Sequence, residues 1–100
     1  MILYIDTKDQ KVVRVFLKDK AKVVGNLSEE NKFGSQALLP LIEKILKQEK
    51  IAYKDLKGIE VETGPGSFTG LRVGVSVANA LGFALNIPVN RKKTETELIY

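Results

Sequence analysis

The run Gly64-Pro65-Gly66-Ser67-Phe68-Thr69-Gly70-Leu71-Arg72 is the stretch of this chain whose residue types and spacing could do chemistry. A glycine turn that feeds a helix N-terminus offers backbone amides, and Ser67 and Thr69 add hydroxyls beside a dipole that favours anions. Read for function, this is a phosphate cradle. Read for structure, it is a tight strand-to-helix turn with Ser67 as the cap. A Gly-Lys-Ser/Thr ending is missing, so it is not a Walker loop. Asp6 and Thr7, at the end of a predicted strand, could face a phosphate and its magnesium ion, though Asp in a turn is also commonplace. Glu60 and Glu62 could join Asp6 as a carboxylate cluster, or could simply occupy a wet sheet face.

Composition removes much other chemistry. The chain has no Cys and no His, which excludes disulfides, His/Cys metal sites, histidine acid–base catalysis and Ser-His nucleophiles. No catalytic residue, cofactor or metal ligand is assigned. Sixteen basic residues against twelve acidic ones give a net charge of +4, which suits acidic partners, RNA included. Direct RNA binding nevertheless lacks a dense basic stripe and interleaved aromatics.

The elements that must position these residues follow from periodicity. Ile2 to Ile5 is a short apolar strand. Val13, Val15 and Leu17 alternate with polar residues in a second, Asp19-Lys20 make a turn, and Ala21, Val23 and Leu27 continue as a third. Ser28 to Gly34 reads as loop. Leu38, Leu41, Ile42, Ile45 and Leu46 recur at helical spacing. Ser35 is the preferred cap of that helix, with Pro40 at its first position as the alternative. Ile59, Val61 and Thr63 alternate with Glu60 and Glu62 in a fourth strand, whose carboxylate face is open to solvent or lines a cleft. A second helix runs from the Ser67 cap to about Leu85, and residues 86–89 return as a fifth strand. The resulting order β-β-β-α-β-α-β, a mixed α/β sheet, is that of the ribonuclease H/actin-like (ASKHA) fold, here as a single lobe. Residues 1–90 form the lobe and 91–100 a charged C-terminal tail, with a Thr94/Glu97 capping-box pattern near the end. The opening shows no basic n-region or small-residue cleavage site, so no signal peptide is expected, and Arg72, Ser76, Asn79, Asn86 and Pro88 interrupt the apolar stretch 71–89, which argues against a membrane span. A cytoplasmic location is expected.

Gly70, Gly74, Ala78 and Gly82 repeat every four residues along the second helix. Glycine in a helix interior costs about 1 kcal/mol against alanine, so the row calls for close approach of a neighbour. That neighbour is either the first helix or another subunit. The second reading predicts that Gly74→Leu breaks partner binding and spares folding.

Residues 64 to 74, Gly-Pro-Gly-Ser-Phe-Thr-Gly-Leu-Arg-Val-Gly, are very similar to the signature of the bacterial TsaB (YeaZ) proteins. Ile5-Asp6-Thr7, Leu38-Leu39-Pro40 and Ile87-Pro88-Val89 fall in the same order at suitable spacing, so the resemblance covers the chain to about Val89. It implies an actin-like N-terminal lobe and a non-catalytic dimerisation or scaffold subunit. Such a subunit supports synthesis of N6-threonylcarbamoyladenosine at position 37 of tRNA by binding a TsaD-like transferase. A TsaE-like ATPase is the further partner, a homodimer is expected in isolation, and tRNA is involved only indirectly. Docking through lobe helices points to Leu38, Ile42, Ile45, Gly70, Gly74, Val77, Ala78 and Leu81. The alternative is a nucleotide-binding half-enzyme of the actin-like ATPase class, which places a metal-facing carboxylate where Asp6 stands. Two departures stand out: the family's second lobe is not in this sequence, and Gly34-Ser35 replaces the common His-Ser.

Overall fold

The computed structural model describes residues 1–30, 37–96 and 98. Strands β1 (Ile2–Asp6), β2 (Val12–Asp19) and β3 (Lys22–Glu30) form an antiparallel meander, and β4 (Gly58–Val61) pairs in parallel with β1. The sheet order is β3-β2-β1-β4. Period-two alternation sends Leu3, Ile5, Val13, Val15, Leu17, Ile59 and Val61 to one face, where they form a single buried cluster with both helices. Helix α1 (Leu38–Gln48) lies against β2 and β3, and α2 (Phe68–Leu85) against β1 and β4. Both helices therefore share one face of the sheet. The Cα radius of gyration is 12.3 Å, close to the roughly 13 Å of a compact 100-residue chain.

Three local expectations shift. The β2–β3 turn is Lys20-Ala21, with Asp19 opposite Lys22, and Lys20 takes a left-handed backbone with φ 60°. Strand β3 runs on through Ser28, Glu29 and Glu30, which face Arg14, Val13 and Val12. A register shift after Leu17 pairs Gly25 with Leu17 but Val23 with Lys18. Leu27 thus stays on the core face while Val23, 46% exposed, turns outward, because one extra residue reverses the pleat. At the turn, Lys20→Gly should raise stability by about 0.5–1 kcal/mol by relieving the left-handed strain. Thermal unfolding would register this as a melting point higher by roughly 2–8 °C.

Helix α1 buries Leu38, Leu41, Ile42, Ile45 and Leu46, as the spacing predicts. Ala37 precedes its first residue, so Pro40 is third, within the turn whose amides have no helical acceptor. Ser35 lies outside the described residues, and so does Glu97 of the capping-box pattern. For α2 the expected cap holds, since the Ser67 side chain accepts from the Gly70 amide at 3.2 Å.

The fifth strand shrinks to one parallel bridge between Ile59 and Val89. Pro88 has no amide to donate, and the chain then reverses at Asn90 and Arg91, with φ 51° and 65°. Past that reversal, the residues expected as a tail are tied back onto the lobe. The Asn90 side chain accepts from the Val61 amide at 2.8 Å and donates to the Val61 carbonyl at 3.1 Å, as another strand residue would. It also donates to Glu95, 4% exposed, at 2.9 Å. Asn79 on α2 closes the network, donating to the Glu95 carbonyl at 2.9 Å and accepting its amide at 2.8 Å.

Candidate functional site

The signature loop is built around two residues at the end of β1. Thr7, 2% exposed, donates from Oγ1 to the Gly70 carbonyl at 2.5 Å. The Ser67 amide donates to the Lys8 carbonyl at 2.8 Å. A Cβ on Gly70 would collide with the Thr7 carbonyl oxygen, and one on Gly74 with Thr7 Oγ1. At Gly66 it would come within 2.7 Å of Lys8 Cβ. Thr7-Lys8 and residues 64–74 are thus one packed unit, and the glycines mark where β1's exit touches α2. Asp6 makes a local turn, its Oδ1 accepting the Lys8 amide at 3.1 Å. The amides of Gly64, Ser67 and Gly70 already donate to Glu62, Lys8 and Ser67. This geometry fits the strand-to-helix turn rather than the phosphate cradle.

Glu60 and Glu62 lie on the sheet face away from the helices, beside Tyr4, Phe16 and Lys18. Lys18 Nζ donates to Glu60 at 3.2 Å and sits 4.6 Å above the Tyr4 ring. The Tyr4 hydroxyl donates to Glu62 Oε2 at 3.0 Å, and Tyr4 meets Phe16 edge-on with centroids 5.6 Å apart. No group of three or more acidic residues could hold a metal among the described residues. Burial, then the Glu62 hydrogen bond and the nearby carboxylates, push the Tyr4 phenol far above its ordinary value of 10.0. The folded chain therefore keeps a proton that the unfolded chain loses near pH 10, so stability falls as pH rises beyond that point. Tyr4→Phe should show a shallower alkaline loss than the parent, measurable by urea unfolding across that range.

The small-residue row faces neither the first helix nor solvent. Gly70 and Gly74 abut Thr7, and a Cβ on Gly82 would come within 2.6 Å of Val89 Cγ2. The expectation that Gly74→Leu spares folding is therefore overturned, because the space belongs to this chain. Leu38, Ile42, Ile45 and Ala78 are 0% exposed, and Gly70 and Gly74 are also buried. These six expected interface positions are interior. Val77 and Leu81 are half-buried and pack against the core edge.

Leu71 and Val75 are buried beside that row, and the opposite side of α2 is open, with Ala80 and Ala84 exposed among Thr69, Arg72 and Ser76. Helix α2 is the one helix among the described residues long and apolar enough to cross a membrane, yet only 33% of it is buried. Its small-residue stripe is clamped to Thr7, just past β1, and to Val89 in the returning segment. Phe68, Val73, Ala80 and Ala84 lie outside the buried stripe, and Arg72 stands 5.1 Å over the Phe68 ring. Near the other end, Phe83 is 85% exposed. Sequence reasoning missed the Asn79–Asn90–Glu95 network, whose only sequence signal is three polar residues within and after an apolar segment.

A single helix-covered sheet with the β-meander first and helical crossovers after is the N-terminal lobe of an actin-like, ribonuclease H-like protein. The family model described as "TsaD: tRNA N6-adenosine threonylcarbamoyltransferase" matches residues 28–91. The chain belongs to the TsaB (YeaZ) family within this group. A "tRNA threonylcarbamoyladenosine biosynthesis protein TsaB" of Buchnera aphidicola (subsp. Schizaphis graminum) is 41% identical over 91 residues, covering 89% of this chain and 42% of that protein. Its Bacillus subtilis namesake is 33% identical, covering 89% and 39%. The solved structure of YeaZ from Pseudomonas aeruginosa superposes with a TM-score of 0.79 at 31% identity, covering 88% of this chain and 42% of that one. The chain thus spans about two-fifths of the length of each of these three relatives.

Proposed function

We propose that this chain is a non-catalytic subunit of tRNA threonylcarbamoyladenosine synthesis that docks on a TsaD-like transferase through the open side of α2. The observation that carries the reading is an 18-residue apolar helix only 33% buried. Large exposed apolar surfaces mark interfaces, and here the sheet-facing side is already filled. Ala80 and Ala84 form the centre of the docking face, with the half-buried Val73, Val77 and Leu81 at its margin. A second copy of the chain is the occupant in isolation, and a TsaE-like ATPase joins the cytoplasmic assembly. The chemistry on tRNA belongs to the transferase. The half-enzyme alternative gains no support from the loop, whose Asp6 carboxylate and three amides have partners within the chain.

Ala80→Arg places a charge in the middle of this face without touching the core. Expected is at least a tenfold loss of affinity for the transferase, about 1.4 kcal/mol or more, with thermal melting unchanged. Titration calorimetry beside a melt reads both. Undiminished binding of this variant removes α2 as the docking face.

A further inference from the structure

The far end of α2 carries a surface that the docking face does not use. Gly82, Phe83, Asn86, Ile87, Pro88 and residues 91–94 line an open groove of about 570 Å³. Arg91, Lys92 and Lys93 supply three consecutive cations, and among the described residues no acidic side chain lines it. Lys92 is partly neutralised by Glu95 at 3.2 Å, whereas Arg91 and Lys93 show no hydrogen bond or ion pair among the described residues. Phe83, 85% exposed, holds its ring in water on the same groove. The Gly82 and Phe83 carbonyls, which would repel an anion at a helix C-terminus, are capped by the amides of Ile87 and Asn86 at 3.0 and 3.3 Å. The chain reversal at Asn90 and Arg91 makes this site by folding residues 91–94 back beside 82–88.

We infer that this groove binds single-stranded RNA, a base stacking on Phe83 while Arg91 and Lys93 meet the phosphates. An acidic peptide would satisfy the cations and leave the ring in water. A purely apolar partner would cover the ring and strand the cations. A nucleotide unit uses both, since every base has a flat π-face and every linkage a charge. Asn86, exposed at the left-handed helix end, adds an amide able to meet a base edge. The chain thereby touches RNA directly, contrary to the indirect role expected from sequence, where Phe83 and the basic triplet stand apart.

The test uses the 100-residue chain and a fluorescein-labelled oligoadenylate, followed by anisotropy over a salt series. Phe83→Ala should weaken binding roughly fivefold to a hundredfold. Arg91→Ala/Lys93→Ala should weaken it and flatten the slope of log affinity against log salt by about 1.4, the share of two phosphate contacts on a single strand. Both changes are at exposed positions, and unchanged melts verify the fold. Lys44→Ala/Lys47→Ala on the solvent side of α1 should bind as the parent does. Parent-like binding by Phe83→Ala overturns the inference. Displacement of the oligonucleotide by polyglutamate as readily as by unlabelled RNA overturns it in favour of an acidic protein, and equal displacement by AMP assigns the groove to a free nucleotide instead. Transferase binding is read separately with Ala80→Arg, so either proposal can fail alone.

Discussion

Gly70→Ala should destabilise this domain by about 3 kcal/mol, a large part of the 5–15 kcal/mol that holds a typical domain folded. The new methyl group lands on the carbonyl oxygen of Thr7, a backbone atom that cannot swing aside. Either α2 backs away or β1's exit bends. If the helix retreats, the Thr7 hydroxyl loses the Gly70 carbonyl at 2.5 Å, and a buried polar group without a partner costs about 1–3 kcal/mol. Overpacking adds a similar amount. Better helix propensity returns only about 1 kcal/mol. A melting point lower by roughly 12–24 °C is expected by circular dichroism. Thr7→Val, which keeps the shape and removes the hydroxyl, should fall between this variant and the parent. A Gly70→Ala protein that melts within a few degrees of the parent would show that α2 does not rest on Thr7.

Asn90→Gly should cost about 2–4 kcal/mol, because one side chain meets three polar groups that have no equivalent substitute nearby. Glycine keeps the left-handed backbone, φ 51°, so the variant isolates the amide. Its loss leaves the Val61 amide and carbonyl unpaired on a residue 4% exposed, and removes a donor from the Glu95 carboxylate. Urea unfolding should show a lower midpoint with little change in slope. Asn90→Asp makes a sharper comparison. It sets a second carboxylate beside Glu95, which raises the carboxyl pKa of the folded pair above the unfolded value. Stability lost at neutral pH should then return as pH falls into the carboxylate range, a trend Asn90→Gly cannot show.

How legible these features were in the sequence depended on how far each cause reached along the chain. Strands β2 and β4 were readable because period-two alternation is local, and β1 because its apolar run, Ile2 to Ile5, is equally local. The cap at Ser67 was equally plain, since cap and first turn are neighbours. The bulge beyond Leu17 was invisible: Val23 and Val24 are both apolar, and only cross-strand pairing decides which turns inward. The glycine row signalled a close contact but not its partner. For Gly70 and Gly74 that partner is Thr7, more than sixty residues away, and nothing in helix periodicity points to a threonine at a strand end. Expected interface residues Leu38, Ile42 and Ile45 failed for a related reason, because an apolar helical face reads the same whether a sheet or a subunit covers it. The polar tie at Asn90 was lost among charged neighbours that suggested a tail.

Strand β3 is the border of the sheet, and a border strand is an invitation for another molecule to add to it. Its pleat is broken at Val24, opposite Leu17 and Lys18 of β2, so Val23 and Val24 swing outward, and Lys20, Lys22, Glu29 and Glu30 bracket it with charge. An incoming strand would need to copy the kink and tolerate both signs of charge at once. Ribbon-like growth from chain to chain is therefore blocked at its first step. Concentrated samples are expected to stay clear of fibrils grown from this edge.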